Sequence, residues 1–71
     1  MCNILLAIKN DNINKEIKIK LKDINYPTTF YDITELKSIK QFLNNINIDI
    51  VIINANEYSL LDIEESINTI K

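Results

Sequence analysis

The residues of this chain best placed to do chemistry are a few polar ones that follow apolar runs: Asp11 beyond the first run, and Asn54, Asn56 and Glu57 at the end of the third. If those runs are strands of an open α/β sheet, the four residues lie around the carboxyl ends of the strands, where such folds bind ligands. Carboxylates and amides in that position suit a small polar ligand or a proton transfer. A small ligand-binding protein or enzyme using Asp11, Asn54, Asn56 and Glu57 is therefore one reading. Asn54, however, stands at the tip itself, and an amide is neither a nucleophile nor a strong acid or base. The chain has no histidine, the usual general base near neutral pH. With Cys2 as the lone cysteine and no histidine, a structural zinc site and most transition-metal ligation are excluded. With no glycine, the dinucleotide fingerprint and the Walker loop are excluded too, because both need backbone without Cβ against a phosphate. We expect no catalytic residue, no metal and no cofactor.

The elements that must position these residues can be read in order. Residues 3–8 form a short apolar run stopped by Lys9-Asn10-Asp11-Asn12, which predicts a buried strand. Ile13, Ile17, Leu21 and Ile24 recur at helical spacing, with Asn12 or Asp11 as the cap and with Lys15, Lys18 and Lys22 facing water. Pro27 resets the chain, and residues 28–33 are rich in β-branched and aromatic side chains, the second strand. Asp32 to Glu35 has the capping-box pattern, with Tyr31 set to staple onto Leu36. Leu36, Ile39, Phe42, Leu43 and Ile46 then give the second helix its apolar face. Asn44, Asn45 and Asn47 mark its end, in left-handed positions that glycine would otherwise fill. Residues 48–53 form the third strand, with Ile50 and Ile52 on one face and Val51 and Ile53 on the other. Apolar side chains on both faces mark a parallel strand covered by helices. Ser59 and Asp62 form a second capping box, Tyr58 is placed to staple onto Ile63, and Leu60, Ile63, Ile67 and Ile70 form the last helical stripe.

The order is βαβαβα, and right-handed crossovers favour a three-layer α/β domain with a short parallel sheet of three strands in the order 2-1-3. Helix one covers one face, helices two and three the other. This is half of a doubly wound, flavodoxin-like fold. A chain of 71 residues makes one small domain that buries only about 60% of the surface its unfolded form exposes. Strand three is left with an open edge and a poorly covered apolar face, exposures that proteins normally hide.

Net charge is −2, which gives no overall footprint for nucleic acid or an anionic membrane. Lysines gather toward the amino-terminal end and acids toward the carboxyl-terminal end, the latter with Lys71 as their one base. Lys15, Lys18, Lys20 and Lys22 form the basic cluster, without interleaved aromatics and without arginine, so no nucleic-acid partner is expected. The run at residues 4–8 is too short for a membrane span or a signal-peptide core, so no membrane partner and a cytoplasmic location are expected. A free thiol at Cys2 fits a reducing compartment.

The stretch Asp49-Ile50-Val51-Ile52-Ile53-Asn54 resembles the third strand of response-regulator receiver domains, in which four hydrophobic residues lie between two aspartates and the second accepts phosphate. The resemblance covers nearly the whole chain, as the first three βα units of that fold. It implies that Asn54 occupies the phospho-acceptor position, inactive because an amide cannot form an acyl phosphate. It also implies that the acid pair that holds magnesium maps, within one residue of slip, onto Ile8, Lys9 and Asn10, none of them acidic. A hard divalent cation there has lost its carboxylate ligands. The Met-Pro pair and glycine that follow the acceptor in receivers are replaced by Ala55-Asn56-Glu57-Tyr58, and the switch threonine and conserved lysine belong to strands this chain does not contain. The resemblance is thus to a degenerate pseudo-receiver, of the kind attached to signalling proteins and partitioning-type ATPases as an interaction domain. The expected partner is a second copy, in a dimer through strand three with Ile50, Val51, Ile52 and Ile53 at the interface, or a C-terminal domain in cis.

Overall fold

The computed structural model describes residues 2–70; Lys71 lies outside them. The elements are β1 (Cys2–Ala7), α1 (Asp11–Lys22), β2 (Thr28–Ile33), a 3₁₀ turn (Leu36–Ser38) leading into α2 (Ile39–Asn45), β3 (Ile50–Ile53), a second 3₁₀ turn (Ala55–Glu57) and α3 (Leu60–Ile70). The three strands form one parallel sheet in the order β2-β1-β3, between helical layers, as the sequence predicts. The layout is that of half a flavodoxin-like sheet. Among the described residues no helix is long and apolar enough to cross a membrane.

The central strand β1 is apolar throughout its second half because it meets helices on both faces. Leu5 and Ala7 pack with Ile33, Leu36 and Ile39 beneath α2 and α3, and Ile4, Leu6 and Ile8 pack against Ile17 and Leu21 of α1. Leu5, Leu6 and Ile39 are the largest fully buried side chains, each contributing about 1.5–3 kcal/mol by leaving water.

The helices sit differently from their stripes. In α1 the cap is Asn10, not Asn12 or Asp11: its Oδ1 accepts from the Ile13 amide at 3.1 Å. The helix stops at Lys22, leaving Ile24 beyond it and exposed, and its buried residue is Asn14. The reason lies in β2. Asp32 pairs in register with Leu6 and so points to the α1 face, where it stays half exposed beside the helix. Asn14 Nδ2 donates to Asp32 Oδ1 at 2.9 Å and Lys18 Nζ to Asp32 Oδ2 at 2.7 Å, which ties α1 to β2 and takes Lys18 out of the solvent-facing set.

Asp32 is therefore not a helix cap. The turn before α2 begins at Leu36 with no side-chain cap, and Tyr31 meets the Phe42 ring edge-on with centroids 5.9 Å apart. No described residue has positive φ. The chain leaves α2 through Ile46 in an extended conformation, while Asn45 Nδ2 donates back to the Gln41 carbonyl at 2.9 Å. β3 pairs from Ile50 rather than from residue 48, because Asp49 and Asn47 serve as clips. Asp49 Oδ2 accepts from the Asn3 amide at 2.8 Å, and Asn3 Nδ2 donates to the Asn47 carbonyl at 3.0 Å. The Ser59 cap forms as predicted, with Ser59 Oγ accepting from the Asp62 amide at 3.2 Å.

Candidate functional site

The tip residues are assembled by the loop after β3. The Asn54 amide donates to the Ala7 carbonyl at 3.1 Å, carrying the β1–β3 pairing past the strand end. Asn54 Oδ1 accepts from the Asn56 amide at 3.3 Å and so caps the 3₁₀ turn at Ala55–Glu57. That turn aims Glu57 back at the tip of β1, where Oε1 accepts from the Lys9 amide at 2.9 Å and Oε2 from the Asn10 amide at 2.8 Å. Next in sequence, Tyr58 donates its hydroxyl to the Thr34 carbonyl beyond β2 at 2.9 Å, and Lys9 Nζ lies 4.9 Å from the centre of the Tyr58 ring. Burial, and then the charge of Glu57, push the Tyr58 phenol above its ordinary pKa. Residues 54–58 thus tie the ends of all three strands together.

This arrangement gives Asn54 and Glu57, with Lys9 and Asn10, internal tasks. Asn54 forms a turn. Asn10 caps α1 with its side chain and docks Glu57 with its amide, and Lys9 stacks on Tyr58 while its amide takes the other Glu57 oxygen. Glu57 directs both carboxylate oxygens at backbone amides, the charge-assisted bonding that most stabilises a carboxylate. Asp11 stands apart in the first turn of α1, beside an open crevice of about 560 Å³ shared with Asn14, Lys15, Lys18 and Asp32. A second crevice of about 490 Å³, between the Leu36–Ser38 turn and α3, is lined by Lys9, Lys40, Tyr58, Asp62 and Ser66 among others. Asn54, Asn56 and Glu57 line neither, so the four residues do not surround one cavity. Among the described residues no group of three or more cysteines, histidines or acids is placed to hold a metal.

In the first crevice, burial pushes the Asp32 carboxyl up, but the hydrogen bonds from Lys18 and Asn14, with the Lys18 charge, outweigh it and hold its pKa below the ordinary carboxylate value. The charges lining this crevice are mixed, and Lys18 and Asp32 are paired with each other.

The other candidate surface is the flank of β3, which pairs with β1 on one side only. Ile50 and Ile52 share the α1 face with Ile4 and Leu6, and Val51 and Ile53 share the opposite face with Leu5 and Ala7. Ile50 is 45% exposed, while Val51, Ile52 and Ile53 are half-buried. On the opposite face α3 lines its crevice with Asp62, Glu65, Ser66 and Thr69, and its buried residue is Ser66, while of its apolar stripe only Ile63 packs against the core. Leu60, Ile67 and Ile70 remain 73%, 44% and 42% exposed. Reading the stripe as the buried face misses them. The polar residues Asp62, Glu65, Ser66 and Thr69, recurring at helical spacing along one side, are the signal that this helix has two contact faces rather than one. In comparisons with protein-family models, curated proteins and solved structures, nothing matches the chain, and the reading that follows rests on its own geometry.

Proposed function

We propose that this chain is a non-catalytic protein-interaction module, a receiver-like scaffold without phosphorylation chemistry, that self-associates through β3. The observation that carries the reading is the β3 edge itself, unpaired among the described residues on the side away from β1 and with Ile50 45% exposed on it. Unpaired edges of this kind template pairing with another strand.

Size supports the same reading. The accessible surface is 5094 Å², against about 4,600 Å² for a monomer of this mass. The radius of gyration is 12.1 Å, against about 11 Å for a closed domain of this length. Joining two copies at β3 makes one six-stranded sheet and covers the edge. The alternative of a ligand site at the strand tips has less support, since Glu57 is engaged by two amides and Asp11 faces a different crevice.

Sedimentation equilibrium at micromolar concentration tests the proposal. The expected mass is twice the 8.3 kDa of one chain. A strictly monomeric chain that still unfolds cooperatively overturns it.

A further inference from the structure

We draw no further inference here: the strongest candidate, the crevice of about 490 Å³ between the Leu36–Ser38 turn and α3, has a charged lining that is exposed and of both signs, and no lining group among the described residues is buried without a partner to point to a ligand.

Discussion

The carboxyl rim of the sheet and the flank of β3 use their side chains in opposite ways. At the rim, Glu57, Asn54, Asn10 and Tyr58 each find a hydrogen-bond partner inside the chain, and the strand ends close over themselves. Along the flank, Ile50 meets nothing comparable and stays open to water, as do Leu60 and Ile67 on α3. In a larger doubly wound domain the rim is where ligands enter, and a central strand such as this one is covered by its neighbours. Here the reactive end is self-satisfied and the structural side is incomplete. The contrast directs attention away from the tip that first drew it.

Breaking the flank should have the largest effect. Ile50→Lys places a charge at an exposed position of the β3 edge, and it is expected to weaken self-association by at least a hundredfold while the far-ultraviolet circular dichroism is kept. Sedimentation and the concentration dependence of the melting temperature both report it, since the melting temperature of a coupled dimer rises with protomer concentration. A variant that stays dimeric at low micromolar concentration would remove Ile50 from the interface.

Breaking the rim should act on the monomer instead. Glu57→Ala removes two charge-assisted hydrogen bonds and is expected to cost about 1–3 kcal/mol, or roughly 5–15 °C in melting temperature for a domain of this size. Its sedimented mass should be unchanged when the variant is folded. Loss of association at unchanged stability would reverse the assignment of the two regions.

The smallest effect concerns the contact that ties α1 to β2. The Asp32 carboxyl has a pKa lowered in the folded chain, burial being outweighed by Lys18 and Asn14. A carboxyl depressed on folding adds stability above its unfolded value, near pH 4, and loses it as the pH falls through the folded value. Urea unfolding followed downward from pH 7 should therefore show the wild type losing stability more steeply than Asp32→Asn below about pH 4. Parallel profiles would mean that the contact does not hold the helix in place.

Much of the fold was legible because it depends on near neighbours. The apolar runs around Leu5, Phe30 and Ile52 predict strands in the observed order, and Ser59 with Asp62 predicts the start of α3, since a cap and its box lie within one turn. Asp32 was misread for the same reason in reverse. Its pattern with Glu35 fits a capping box locally, but its partners, Asn14 and Lys18, lie on another element. The tip site was legible only as a list of residues. Nothing local indicates that Glu57 reaches back to the amides of Lys9 and Asn10.

The sequence by itself determined the α/β class, the parallel 2-1-3 sheet and an inventory without histidine, glycine or a second cysteine, because periodicity and residue chemistry are properties of the chain read in line. Only the tertiary structure decided which partners the polar side chains find. Asp32 on β2 meets Asn14 and Lys18 of α1, and the polar side of α3 lines the crevice beside the Leu36–Ser38 turn, pairings set by residues far apart in sequence. Among the described residues β3 finds no strand partner beyond β1, and that edge is where a second copy is proposed to dock.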